Sequence, residues 1–291
     1  MTHRSAGTSD DGDISRASNA RNNAMHQALR LERWQPVRSA LWKLVEPLID
    51  ATARVAIVGA GSCDDVPLTR MAEHAAHVDL IDFDRSSTDR AIGRLDADQR
   101  ARVGVIELDV TGGSADLVLR AARDNASLPE ALPIPYGPLA DEPYDLVIGD
   151  MIYTQLLHAG LLELGIVGKR QRELMRRYDR PLVHGLVQRI EASLGTGGHG
   201  IHIHDLACWA SGHKQPCSFD EAVADPDHRW TELRRHDNCD PHLVLEGIGA
   251  RIVDQVWWPW EFEPNKQFLV RATVTRAATG ASLGPGVWRR R

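Results

Sequence analysis

Three short apolar runs in this chain end on an aspartate, and a fourth ends on Gly59-Ala60-Gly61. Two glycines at this spacing let a backbone turn tightly and approach a ligand, because no Cβ intervenes. Ser62-Cys63-Asp64-Asp65 follow. A dinucleotide fingerprint would place its third glycine at position 64, where a helix N-terminus meets a pyrophosphate. Carboxylates there repel a phosphate. They also suit an ordinary helix cap, and both readings disfavour a phosphate ligand. Asp82 lies 23 residues after Gly59, where a strand-tip carboxylate can accept hydrogen bonds from both hydroxyls of a ribose. Asp109 is placed to accept from an adenine amino group. Asp150 follows Gly149 and precedes Met151-Ile152-Tyr153.

Strands must position these groups. Arg54–Val58, His77–Asp82, Val103–Leu108, Tyr144–Ile148 and Gly200–His204 read as buried strands, with helical segments between them. Alternation of this kind implies βαβ units and a parallel sheet whose carboxyl ends converge on one crevice. Two further strand-like runs, 250–258 and 267–275, have no helix between them and pair best as an antiparallel hairpin. The expected fold is therefore α/β: a Rossmann-like, seven-stranded mixed sheet of five parallel strands plus a C-terminal hairpin. Residues 126–143 contain five prolines and read as an irregular insertion. Met25, Leu29, Trp34, Val37, Leu41, Val45 and Leu48 recur at helical spacing, broken by Pro36 and Pro47. This divides the chain into a disordered polar tail (1–21), an N-terminal helical segment (22–50) and the main domain (51–291).

The net charge of -6 and a pI near 6.1 oppose nucleic-acid binding, which ordinarily needs a basic surplus. The run holding Lys169, Arg170, Arg172, Arg176, Arg177 and Arg180 is interrupted by Glu173 and Asp179 and reads as a solvated helix face. No window is apolar enough for a membrane span, and the polar N-terminus lacks a signal-peptide core, so a cytoplasmic location and no membrane partner are expected. Cys63, Cys208, Cys217 and Cys239 form no CxxC pair, so no metal site is expected.

The segments VAIVGAGSCDD (55–65), VDLIDFD (78–84), VIELDV (105–110) and YDLVIGDM (144–151), with the C-terminal hairpin, resemble the class I, Rossmann-like family of S-adenosylmethionine-dependent methyltransferases. The resemblance spans roughly residues 53–275. It implies S-adenosyl-L-methionine as cofactor. Gly59, Ala60 and Gly61 would line its methionine part, Asp82 and Phe83 its ribose, Asp109 and Val110 its adenine, with Asp150 near the methionine end. Two positions depart from the family pattern. Ile57 stands where an acidic residue is common, and Cys63 replaces a third glycine; Asp64, Asp65 or Asp150 would compensate. The fourth strand does not end in Asp/Asn-Pro-Pro-Tyr, the pattern of amino-methylating nucleic-acid enzymes. The N-terminal helices resemble the lid of small-molecule methyltransferases.

The acceptor side is read from the residues. His202 and His204 share a strand face, with His204 at the tip as a candidate general base. Tyr153 is a second catalytic candidate and, with Trp34, Trp209 and Trp257, a candidate wall for the acceptor. Strand alternation puts one of Trp257 and Trp258 inward and one outward. The outward one would serve a substrate wall, a homodimer contact or simple cover. The expected partner is a small-molecule methyl acceptor, aromatic or heteroaromatic. An NAD(P)-dependent oxidoreductase and a non-catalytic S-adenosylmethionine-binding module are the alternatives.

Overall fold

The computed structural model describes residues 14–24, 27–212, 214–233 and 239–278. Seven strands form one sheet: β1 (Arg54–Val58), β2 (His77–Asp82), β3 (Val103–Glu107), β4 (Tyr144–Asp150), β5 (Leu194–Ala210), β6 (Ile252–Glu263) and β7 (Lys266–Arg276). Their order is β3-β2-β1-β4-β5-β7-β6. The first five run parallel, while β7 is antiparallel to both β5 and β6. This is the expected seven-stranded mixed sheet. Val55 to Val58 form an unbroken apolar run because β1 lies mid-sheet with both faces covered, and all four are fully buried.

Twelve helices are present among the described residues. They are α1 (Ile14–Ala24), α2 (Gln27–Arg33), α3 (Gln35–Val45), α4 (Leu68–His74), α5 (Arg85–Gly93), α6 (Ala97–Arg100), α7 (Ser114–Arg123), α8 (His158–Glu163), α9 (Gly168–Ala192), α10 (Phe219–Ala224), α11 (Pro226–Leu233) and α12 (Pro241–Ile248). One core layer packs Ala56, Val58, Val147 and Tyr153 against α7, α8, α9 and α12. The other packs Val55, Ile57, Ile148, Ile201 and Ile203 against α3 and α4, with Trp258 and Trp260 closing it. Between β5 and β6 in the chain, α10 and α11 pack on Leu206, Ala207 and Leu269 as a cap. None of the described helices is long and apolar enough to cross a membrane.

The N-terminus differs from the sequence reading. Residues 14–21, assigned there to the polar tail, belong to α1. Ile14 is buried, and Ser15 donates through its N–H and hydroxyl to Asp116 Oδ1 at 3.1 and 2.7 Å. Tertiary partners hold this helix, which its own polar sequence does not announce. The rest of the tail, 1–13, lies outside the described residues, as does Met25. The break expected at Pro36 is present: α2 ends at Arg33, and Pro36 stands in the first turn of α3, where its missing N–H is harmless. β5 is also far longer than its apolar core suggests, because 205–210 continue alongside β7 beyond the parallel sheet.

Candidate active site

The turn after β1 is built on left-handed backbone. Gly59 and Gly61 have φ of 77° and 47°, and Cys63, standing where a third glycine was looked for, takes φ 50°. A Cβ on Gly59 would also lie 2.8 Å from Ile152 Cβ, so the turn sits hard against the tip of β4. Asp82, at the tip of β2, is buried and accepts from the Gly61 N–H at 2.9 Å and the Asp84 N–H at 2.8 Å. Burial pushes its carboxyl pKa up, against the pull of those two N–H groups. Ala60 and Val110 are buried nearby in sequence order, and Phe83 is half-buried. Asp84 turns the other way, accepting from Ser86 Oγ at 2.6 Å and from Ser87 Oγ at the start of α5. Asp109 accepts from Thr111 N–H at 2.7 Å, Thr111 Oγ1 at 2.8 Å and Gly113 N–H at 2.5 Å. It therefore shapes the turn into α7.

The two carboxylates after Gly61 part company. Asp64 is buried, bonded to Ser62 Oγ at 2.8 Å and Arg94 Nη1 at 3.0 Å. Asp65 is hydrogen-bonded instead to Asp150, the buried tip of β4. Two carboxyls in contact must share a proton. Burial raises Asp65 to about 6, with Asp64 adding to the rise and Arg30 and Arg38 opposing it. Asp150 is raised well above the carboxylate range by burial and by Asp65. The pair lies beside the glycine turn, within the fields of Arg30 of α2 and Arg38 of α3.

On the α9 side, Tyr153 is buried. Its phenol turns under β4 and meets His202 Nδ1 at 2.7 Å, while His202 Nε2 lies 3.0 Å from Glu191 Oε1, and Thr275 Oγ1 donates to that same oxygen at 2.6 Å. With Glu191 ionised, the imidazole carries its proton on Nε2, and Nδ1 accepts from the phenol. The ring fits only because residue 149 is glycine: a Cβ there would lie 2.2 Å from the Tyr153 hydroxyl. His204 is buried two residues along, its ring 6.4 Å from that of Tyr153 and its Nδ1 3.7 Å from Asp205 Oδ1.

The tryptophans divide. Trp34 is buried against Trp260 and Phe262, with Nε1 donating to Phe262 O at 3.2 Å, so it seats the N-terminal helices on β6. Trp258 faces the core and Trp257 the opposite side, where its Nε1 donates to Asp227 of α11 at 2.9 Å. Trp209 donates to Cys217 O at 3.0 Å and packs on Phe219 of α10. Trp209 and Trp257 thus belong with the cap, and Trp34 does not. In the basic run on α9, Arg170 bonds Ala122 O and Asn125, and Arg177 bonds Pro129 O. Those two arginines brace neighbouring loops.

Glu191, Asp240 and Arg271 were not singled out in the sequence. Each is an isolated charge on a different element, and no spacing connects Glu191 to the histidine eleven residues later. Only an unexplained charge inside an otherwise apolar strand, as at Arg271 in FLVRATV, marks a position of this kind.

No family model and no curated protein matches the chain. Among solved structures, it is similar to a SAM-dependent methyltransferase from Methanosarcina mazei (10% identity, 81% of this chain and 97% of that one, TM-score 0.46). It is also similar to the N-methyltransferase NodS from Bradyrhizobium japonicum WM9 in complex with S-adenosyl-L-homocysteine (14% identity, 90% and 98%, TM-score 0.45). A SAM-dependent methyltransferase from Aquifex aeolicus is a third (12% identity, 90% and 98%, TM-score 0.44). At these values none of them assigns a role to any residue here.

Proposed function

We propose that this chain is an S-adenosylmethionine-dependent methyltransferase acting on a small-molecule acceptor. One observation carries the reading: the strand tips around the glycine turn present carboxyl groups, and the position where a pyrophosphate would dock is itself acidic. S-adenosylmethionine has an ammonium, a sulfonium and two ribose hydroxyls but no phosphate, so each polar group meets chemistry of the right sign. Asp82 would hold the ribose beside Phe83. A carboxylate oxygen has two lone pairs, so bonding to Gly61 leaves capacity for the hydroxyls. Gly59, Ala60 and Gly61 would line the methionine end, with Asp65 and Asp150 facing the ammonium. Asp109 and Val110 would border the adenine.

The cofactor supplies a methyl group already activated on a positive sulfur, so the chain's task is chiefly orientation and exclusion of water. The acceptor would enter on the cap side, against Trp209 and Trp257, with Trp34 bracing the lid from behind. His204 is the candidate base where the acceptor must lose a proton. Tyr153 serves through His202 and Glu191, fixing the wall beneath the β4 tip. An aromatic or heteroaromatic acceptor follows from the indoles, and the negative net charge speaks against nucleic acid.

Calorimetry tests the cofactor class. Adenosylhomocysteine should bind, and NADH should not. Asp82→Ala should weaken adenosylhomocysteine binding by about ten- to a thousandfold, as loss of charged hydrogen bonds implies. It should also lower thermal stability, since Asp82 anchors the turn. Asp84→Ala should lower stability through α5 while leaving affinity nearly intact. Tight NADH binding with no response to adenosylhomocysteine would refute the assignment.

A further inference from the structure

Two arginines grip the backbone of the turn that follows β1. Among residues 59–65, Cys63 takes a left-handed conformation that a side chain with a Cβ disfavours. The N–H groups of the turn have partners at the tip of β2: Gly59 donates to Ile81 O at 2.9 Å, and Gly61 to Asp82. Its carbonyls are taken by the helices. Arg94, the C-cap of α5, donates through Nη2 to Ser62 O and, at 3.2 Å, to Cys63 O, and through Nη1 to Asp64 Oδ1 at 3.0 Å. Arg38 of α3 donates through Nη1 to Asp64 O and through Nη2 to Leu31 O of α2. The consecutive carbonyls of Ser62, Cys63 and Asp64 therefore each accept from a guanidinium.

This arrangement selects one backbone form. Cys63 can leave the left-handed region by rotation of the peptide plane between Ser62 and Cys63, and that rotation swings Ser62 O away from Arg94. The bond is a latch on the conformation of Cys63. Asp64 belongs to the same latch: its carboxylate is occupied by Arg94 and by Ser62 Oγ. Arg38 lies in the field of Arg94, and Asp65 and Asp64 offset that repulsion. Helix α5 also joins two sides of the crevice, starting next to Asp84, two residues past the Asp82 tip, and ending at Arg94 on the turn.

We propose that Arg94 and Arg38 are positioning residues of the crevice, holding residues 59–65 in the backbone form that meets the amino-acid end of the cofactor. The identity of that ligand rests on the methyltransferase reading; the latch itself does not.

Hydrogen exchange tests the latch without any ligand. In Arg94→Gln the amides of Gly61 and Cys63, bonded to Asp82 and to Ala60 O, should exchange at least about tenfold faster than in the parent, with those of β2 unchanged. Calorimetry then compares adenosylhomocysteine with 5′-methylthioadenosine, which keeps the ribose and adenine and lacks the amino-acid end. Arg94→Gln should weaken the first by about tenfold or more and leave the second within about twofold, the scale of one hydrogen bond lost at one end of a ligand. An arginine that only stabilised the fold would move both ligands alike and speed exchange throughout. Arg94→Lys keeps the charge without the planar fork and should recover part of the affinity. Arg38→Gln removes one bond to the turn, should show the same pattern more weakly, and carries the test if Arg94→Gln does not fold. Unchanged exchange at Gly61 and Cys63, or equal weakening of both ligands, overturns the proposal. No binding of either ligand by the parent removes the methyltransferase reading, and exchange alone then decides the latch.

Discussion

Where β5 meets β7, the sheet has two unlike faces. One carries Ile201, Ile203, Val270, Ala272 and Val274, packed against the N-terminal helices and the hairpin tryptophans. The other carries His202, His204, Arg271, Thr273 and Thr275, all buried, facing α9 and α12. One residue apart along the same strands, one set is held by contact and the other by hydrogen bonds. Apolar packing is tolerant of detail, whereas a buried polar face is favourable only when each member finds its partner. Most of this polar face does so: Tyr153 with His202, His202 with Glu191, and His242 with Thr273 at 3.1 Å. Arg271 joins it through Asp240, the N-cap of α12.

The largest effect should come from the apolar face. Ile201→Ala removes a fully buried side chain and should lower the free energy of unfolding by about 2–5 kcal/mol in denaturant titration, with adenosylhomocysteine affinity unchanged. A loss of affinity at equal folding would mean that the two faces are not independent.

The polar face should respond less, and cooperatively. His202→Leu strands the phenol and leaves Glu191 with Thr275 alone, at about 1–3 kcal/mol for a group left unmade. Tyr153→Phe added to it removes one of the stranded partners, so the double variant should be more stable than the sum of the two single losses. Additive losses in that cycle would show that the chain Tyr153–His202–Glu191 is not an energetic unit.

The smallest effect should appear only as a pH trend at the tips. Asp65 titrates near 6 in the folded chain against an ordinary 3.8. Between those values the folded state holds more protons than the unfolded one, so stability falls as pH rises through this window. Asp65→Asn should remove part of that fall. Its melting temperature relative to the parent should climb from about pH 4 to about pH 6 and then level off. An offset that is the same at every pH would place the burden elsewhere.

Much of the apolar half of this comparison could be read in the sequence. RVAIV and HVDLID declare buried strands because mid-sheet positions need apolar groups on both faces, and the glycine turn declares its backbone. The polar half could not. Glu191 sits on the last turn of a long helix, and Asp240 on a cap. Their partners are fixed by how those elements dock, which no local period encodes. The second half of β5 was hidden for a related reason: residues 205–210 pair only with β7, more than fifty positions away. Asp82 was placed correctly at the end of β2, yet its bond to Gly61 could be seen only once the turn had a shape.

Gly149 and Tyr153 close the matter of the polar face in a different currency, that of ancestry. A side chain at 149 collides with the phenol, and the phenol owes its seat to the absence of that side chain. Neither position is free to drift alone. A lineage leaving this arrangement must shed the hydroxyl before it can gain a methyl group at 149, and a lineage entering it must pass through glycine first. The order of those two steps is fixed by sterics, so the pair should be inherited together and altered in one direction.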